Sequence, residues 1–306
     1  MSIYGLFQRK GANGYGYNST AEQVTSDLDL NGKNIIVTGC NSGLGRETAR
    51  VLARRGAKVY GTARTLEKAR RACDDIGLGA VGIACELSDP ANVRSAVKAL
   101  KNKVKKIDAI ICNAGIMALP KLERAFGYEL QFFTNHIGHF ILVTGLLGNL
   151  ADNGRVVMLS SAAHKGAPSE GIEFENLAGD KTYTPWSAYG QSKFANLLFV
   201  KELAQRFKGT DKVAIAVHPG VIKTNLGRHM NPVARFVFAV IGPLFLKNVP
   251  QGAATECYAA VHPDAADFSG SYFADCNPTP PRADAENLEL AEKLWQKSEE
   301  ILAALK

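Results

Sequence analysis

Asn34-Ile35-Ile36-Val37-Thr38-Gly39-Cys40-Asn41-Ser42-Gly43-Leu44-Gly45-Arg46 is the stretch on which the fold turns. An apolar run, Asn34 to Thr38, feeds a glycine-rich turn, and residues Leu44 to Arg55 then follow a helical period that Gly56 is placed to cap. A glycine turn between a strand and a helix aims backbone N–H groups and the positive helix end at a pyrophosphate. The spacing is G-x-x-x-G-x-G (Gly39, Gly43, Gly45). A tight turn with no ligand has the same spacing, but a place at the first strand–helix junction favours a nucleotide. Gly39, Asn41, Ser42, Gly43, Leu44 and Gly45 are the cradle residues expected to touch it.

Outward from the turn, strand and helix patterns alternate. Lys58–Thr62 reads as a second strand, followed by helix to about Ile76 and a third strand at Ala80–Cys85. Pro90–Lys103 reads as a helix, Ile107–Cys112 as a fourth strand, and 122–151 as one long helix or two. Arg155–Ser160, Val213–His218 and a short Ser271–Ala274 complete about seven strands. Ser187–Phe207 and an amphipathic 285–305 (Leu288, Ala291, Trp295, Leu302) are helices. Continuous apolar strands alternating with helices predict an α/β fold, a doubly wound parallel sheet of Rossmann type. No repeat or linker divides residues 31–306, so one domain is expected. Residues 1–30, rich in Gly, Asn and Ser, read as an arm wrapped on that domain or extended from it.

The 306 residues are 46% hydrophobic and 21% charged, with a net charge of +7. Lys98, Lys101, Lys103, Lys105 and Lys106 supply a local excess. No aromatics interleave with them, so a solvated helix end is expected rather than a nucleic-acid surface. The six cysteines show no paired or metal-ligand spacing, which suits the cytoplasm or another reducing compartment. No apolar h-region opens the chain, and no secretory signal is expected. The run Val233 to Leu246 contains Arg235 and Pro243 and is too short to span a bilayer. It suits peripheral contact with a membrane or closure over an apolar substrate.

An acidic residue at the end of the second strand selects NAD by binding the ribose 2′-hydroxyl. Ala63-Arg64 stands there instead, and Arg46 follows Gly45 directly. Two guanidiniums and no carboxylate favour a 2′-phosphate, hence NADP(H). Further along, Tyr189 and Lys193 lie one turn apart on one helix face. A tyrosine near its free pKa of ~10 is a poor base at neutral pH, and a neighbouring ammonium favours its phenolate. Ser160 and Ser161 end the fifth strand, at the sheet edge where ligands bind. A serine pair at a strand end also serves turn chemistry.

These segments together resemble the short-chain dehydrogenase/reductase family over roughly residues 31–275. TGCNSGLG matches its glycine motif, and Asn113-Ala114-Gly115 its N-A-G after strand four. The resemblance implies catalytic Ser161, Tyr189 and Lys193, with Asn135 bending its helix and holding a relay water. It also implies that Asn113 to Gly115, Tyr189 and Lys193 touch the cofactor, Lys193 at the nicotinamide ribose. Ser161 is preferred to Ser160 because the family's serine is usually the second of a pair. Pro219, Gly220 and Thr224 match the segment that binds the nicotinamide end. Glu86-Leu87 stands where the family usually has Asp-Leu at the adenine, a departure of one methylene. TNHIGHF, T-A-R and S-S-A-A-H resemble the retinol dehydrogenase branch, which includes light-dependent protochlorophyllide reductases and a dehydrogenase of the chloroplast import machinery. The arm from Tyr17 to Thr25 resembles the last of these.

The resemblance implies an NADP(H)-dependent enzyme interconverting a carbonyl and an alcohol. The apolar residues Val233, Phe236, Phe238, Ile241, Leu244 and Phe245 suggest a hydrophobic substrate under a segment at about 225–250. Carbon–carbon double-bond reduction, or an NADP(H)-sensing scaffold that binds a partner, are the alternatives. A homodimer through the long helices 122–151 and 187–208 is an arrangement the family uses. His136 and His139, three apart on a helix, can suit a metal, but no third ligand has convincing spacing, so packing and hydrogen bonding are expected of them and of His164. Cys40 reads as a small filler of its turn or, alternatively, a redox-sensitive thiol.

Overall fold

A computed structural model describes residues 3–222 and 246–305. After a short turn of helix α1 (Ile3–Leu6), the order is β1 (Asn34–Thr38), α2 (Gly43–Arg54), β2 (Lys58–Ala63), α3 (Leu66–Ile76) and β3 (Val81–Ala84). Then come α4 (Pro90–Lys103), β4 (Ile107–Cys112), a β5–β6 hairpin (Arg124–Ala125, Tyr128–Glu129), α5 (Leu130–Phe132) and α6 (Gly138–Leu146). The chain continues through β7 (Leu150–Leu159), α7 (Pro185–Arg206), β8 (Val213–His218), α8 (Val249–Val261), β9 (Tyr272–Ala274), β10 (Asn277–Pro278) and α9 (Leu288–Ala304).

The main sheet runs β3-β2-β1-β4-β7-β8-β9-β10, parallel throughout except for the last pair. Strand order reverses between β1 and β4, which makes the carboxyl end of that pair the topological switch point where open α/β sheets bind ligands. Alternate residues of each strand face opposite layers. Ile36, Ile110, Val156 and Ala214 join one core with α4, α6, α7 and α9. Ile35, Ile111, Val157 and Ile215 join the other with α2 and α8. Both faces are therefore apolar, which is why these strands read as unbroken apolar runs.

The sheet has eight strands where about seven were expected. The extra one, β10, pairs only two residues with β9 across a turn that holds Asp275 and Cys276 at φ 53 and 62. The region 122–151 is not one or two helices throughout. It opens with the β5–β6 hairpin, turned at Phe126 (φ 52) and Gly127 (φ 85). Its last residues already belong to β7, which starts at Leu150 rather than at Arg155. There Leu150 pairs with Ile107, and a register shift accommodates Asp152-Asn153-Gly154.

Among residues 3–30, Ala21 and Val24 enter the core beside α2 and α8. The Ala21 N–H donates to the Pro250 carbonyl at 2.9 Å. Glu22 meets Arg50, Arg54 and Arg55 at 3.0, 3.2 and 3.1 Å. These partly exposed pairs are worth about 0–1 kcal/mol each, so the apolar anchors carry most of the docking.

Helix α7 is buried without interruption from Tyr189 to Val200. Its outer side lies under α9, where Trp295 stacks on Phe199 at 5.6 Å and meets Phe140 of α6 edge-on at 4.8 Å. Contacts of this kind add about 0.5–1.5 kcal/mol each beyond area burial. Phe140 of α6 and Phe199 of α7 are thus covered by α9 within one chain. The protein is expected to sediment as a single copy at micromolar concentration. A stable dimer of the full chain would contradict this.

Candidate active site

The cradle is built on close backbone approach. Gly39 has φ +71, and a Cβ on it would lie 3.1 Å from the Cα of Ala114. A Cβ on Gly45 would lie 2.4 Å from Asn113 Nδ2 and 2.5 Å from the Gly39 carbonyl oxygen. The ends of β1 and β4 are laced together: Asn113 Nδ2 donates to the Thr38 carbonyl at 2.7 Å, and the Ala114 N–H to Thr38 Oγ1 at 2.9 Å. Ser42 is extended at the N-cap of α2 and makes no side-chain cap bond, and Asn41 and Ser42 are exposed. Leu44 is half-buried against Gly252 of α8. Uncapped N–H groups behind side-chain-free backbone fit a pyrophosphate.

Arg64 is exposed at the end of β2. Arg46 ion-pairs with Asp75 at 3.1 Å, both side chains about half exposed. Glu86 is turned back on its own loop, its Oε1 accepting from the Ser88 N–H and hydroxyl at 3.2 and 2.9 Å, while Leu87 is buried. Cys40 is buried, its sulfur sharing the space over Gly61 with that of Cys73.

At the same sheet edge, Tyr189 and Lys193 of α7 are both buried, with Lys193 Nζ 5.6 Å from the centre of the Tyr189 ring. The two serines separate, because neighbours on extended chain point opposite ways. Ser160 turns inward and donates to the Lys193 carbonyl at 2.8 Å. Ser161 is half-buried and near enough to the Tyr189 hydroxyl to act on its ionisation. Burial pushes the Tyr189 phenol up to about 12, the nearby Ser161 hydroxyl working against it. Burial also pushes Lys193 down to about 8, opposed by the charge of Glu256. Lys193 Nζ donates to the Leu159 carbonyl at 3.0 Å, leaving two ammonium protons for other acceptors.

Asn135 sits in a π-helical turn, Phe133–Ile137, inserted between α5 and α6, a feature frequent at functional sites. Its Nδ2 donates to Ser192 Oγ and to the Ile116 carbonyl, and its Oδ1 accepts from the Ile116 N–H, each at 2.9 Å. Gly115 closes the group: a Cβ there would stand 2.9 Å from Asn135 Oδ1 and 3.5 Å from Lys193 Nζ. Pro219 is buried, and Gly220 has φ +90 over the Lys247 side chain. Thr224 and the apolar residues from Val233 to Phe245 lie outside the described residues. The structure thus gathers Asn113 to Gly115, Asn135, Ser161, Tyr189 and Lys193 beside the glycine cradle.

Residues 33–234 match the family profile described as short chain dehydrogenase. The chain belongs to that family. It is 40% identical, over all of both chains, to the short-chain dehydrogenase TIC 32 A, chloroplastic, of Brassica napus. It is 39% identical to retinol dehydrogenase 12 of Bos taurus over 90% of this chain and 88% of that one. A blue fluorescent protein from a metagenomic library, solved in complex with NADPH, superposes with a TM-score of 0.66 at 25% identity, covering 81% of this chain and 97% of that one.

This short-chain dehydrogenase also holds polar groups that sequence reading missed or left without a partner. His139 is buried, its Nδ1 on the Asn135 carbonyl and its Nε2 on Thr38 Oγ1, both at 3.0 Å. Burial pushes it down to about 4, so a neutral ring ties the π turn to the end of β1. His136 Nε2 bonds Ser298 Oγ at 2.9 Å. Among the described residues, no three His, Cys, Asp or Glu side chains converge as a metal site. Nor is any described helix long and apolar enough to cross a membrane.

Glu256 is fully buried on α8, and its one sequence signal was an acid inside an apolar helix. Thr48 Oγ1 donates to its Oε2 at 3.0 Å, and Oε1 has no partner among the described residues. Burial pushes the carboxyl from 4.5 up to about 8. Between those values the unfolded chain releases the proton that the folded chain keeps, so stability falls as pH rises. Lys193 acts oppositely from about 8 to 10.5, where the unfolded chain binds more protons and stability recovers. Glu256→Gln is therefore expected to flatten the fall in melting temperature between pH 5 and 8, a difference on the order of a few kcal/mol. A buried amide adds only a pH-independent offset. Parallel melting profiles for the two proteins would refute this.

Proposed function

We propose that the protein is an NADP(H)-dependent oxidoreductase that interconverts a carbonyl and an alcohol on an apolar substrate. The observation that carries this is the convergence of Ser161, Tyr189 and Lys193 at the sheet edge, beside a cradle that side-chain-free backbone keeps open. A nicotinamide dinucleotide, when bound, supplies or accepts the hydride. Ser161 holds the substrate oxygen. Tyr189, protonated at neutral pH, donates to that oxygen, which suits the reductive direction. The Lys193 ammonium favours the phenolate that proton transfer leaves. Asn135 braces the segment after Gly115 through both backbone groups of Ile116.

NADP(H) is favoured by Arg64 and by the lack of an acid at the end of β2. The exposed Arg46–Asp75 pair is worth only about 0–1 kcal/mol, so its guanidinium is readily drawn to a 2′-phosphate. The solved relative bound to NADPH is in keeping with this. An apolar substrate is supported by Trp186, 51% exposed one turn before Tyr189 with ring centres 6.2 Å apart, and by the likeness to a retinol dehydrogenase. Six unpaired, buried cysteines suit a reducing compartment.

The test is oxidation of NADPH and NADH with apolar aldehydes and ketones of increasing length. NADPH consumption that grows with chain length is expected. No turnover with any carbonyl, or a preference for NADH, would reject the proposal.

A further inference from the structure

We propose that His164 is a positioning residue that clamps the backbone of Ser161 to the C-terminal segment at Arg282, and so sets where the serine hydroxyl stands. This rests on the functional reading above, in which Ser161 holds the substrate oxygen.

His164 has no exposed surface. Its Nδ1 lies 2.6 Å from the Ser161 carbonyl oxygen, which also accepts from the His164 backbone N–H at 3.0 Å. On the other edge of the ring, Nε2 lies 3.1 Å from the backbone nitrogen of Arg282. A carbonyl only accepts and a backbone N–H only donates. The proton therefore sits on Nδ1 and the lone pair on Nε2. One neutral tautomer satisfies both neighbours; the cation and the other tautomer each lose one.

Arg282 completes the clamp. Its guanidinium donates to the Ala167 and Pro168 carbonyls at 2.8 and 2.9 Å, pairs with Asp284 at 2.6 Å and lies 4.5 Å over the Phe194 ring. Phe194 follows Lys193 directly on α7. Arg282 thus holds the turn that Ser161 opens at its middle, through His164, and at its far end, and rests on the helix that carries Tyr189 and Lys193. The turn seats tightly against that helix: a Cβ on Gly190 would meet the Ala163 carbonyl at 2.8 Å.

The clamp is pH-sensitive. Burial holds His164 below the usual histidine range, helped by the charges of Lys165 and Arg282 and opposed by the bond to the Ser161 carbonyl and, less, by Asp284. His218 and the ring of Tyr272, at 5.1 Å, face it as well. Protonating Nε2 sets N–H against N–H at Arg282 and breaks that bond. Turnover by the wild type then falls on acidification through a group below ~6.5.

The experiment compares wild type, His164→Phe and His164→Asn by steady-state kinetics from pH 4.5 to 8, with nitrogen NMR of the wild-type imidazoles. His164→Phe is expected to lower kcat by about 100-fold, the cost of a 1 Å misplacement, with the NADPH Kd unchanged. His164→Asn, whose amide N–H can replace Nδ1–H, is expected to recover kcat to within about tenfold and to lose the acid limb. A wild-type kcat in His164→Phe, or an acid limb kept in His164→Asn, overturns the proposal. The latter decides the matter should His164→Phe not fold. The nitrogen shifts report the tautomer whatever the protein catalyses. A proton on Nε2 overturns the clamp itself, whereas full turnover by Tyr189→Phe overturns the functional reading and leaves the clamp intact.

Discussion

Tyr189→Phe is expected to lower kcat by about 10²- to 10⁴-fold, the usual contribution of a positioned general acid. The substitution removes one oxygen from a buried ring. The edge contact of that ring with Trp186 at 6.2 Å is kept. Ser161, the nearby hydroxyl, is half-buried and accepts from the Ala163 N–H at 3.2 Å, so it keeps that partner. Loss of one such bond costs about 0.5–1.5 kcal/mol, and the melting temperature should move by a few degrees at most. None of the cradle residues is touched, so the NADPH Kd from fluorescence titration should stay within about threefold. A large fall in kcat with binding retained isolates proton transfer. Undiminished turnover would remove Tyr189 from the mechanism.

The sheet was legible because each parallel strand is covered on both faces, so Ile107–Cys112 or Val213–His218 shows as an apolar block. The cradle was legible because backbone and Asn113 leave no room for a side chain at Gly39 or Gly45. Short elements fared worse. Two-residue strands such as β10 carry no periodicity, and Pro278 argues against a strand. The β5–β6 hairpin has Gly127 as its turn signal, but an apolar helical pattern on either side hid it. The bonds that hold the site are illegible for a different reason. Thr38–His139, His164–Arg282 and Thr48–Glu256 join residues 101, 118 and 208 positions apart. A single sequence contains the partners but not their pairing. The separation of Ser160 from Ser161 lies between these cases: alternation on extended chain requires that they diverge, but only the position of α7 decides which one meets Tyr189.

Gly45→Ala is expected to weaken NADPH binding by on the order of 100-fold while leaving the catalytic group in place. The new Cβ would stand 2.4 Å from Asn113 Nδ2, 2.5 Å from the Gly39 oxygen and 2.9 Å from the Gly39 carbonyl carbon. Two of these are backbone atoms of the cradle itself. The third belongs to a side chain pinned to the Thr38 carbonyl at 2.7 Å, so no flexible end can yield. Either the N-terminus of α2 moves away from β4, or the Asn113–Thr38 bond breaks and the ends of β1 and β4 part. Overpacking of this kind costs about 1–3 kcal/mol. The same displacement turns the N–H groups away from a pyrophosphate, at tenfold in affinity for each 1.4 kcal/mol. Gly148→Ala is the control, since a Cβ there meets nothing within 4 Å. It should melt and bind like the wild type. Titration with NADPH, together with the rise in melting temperature that NADPH induces, reads both variants. If Gly45→Ala binds NADPH as tightly as Gly148→Ala, the cradle does not hold the dinucleotide by close backbone approach.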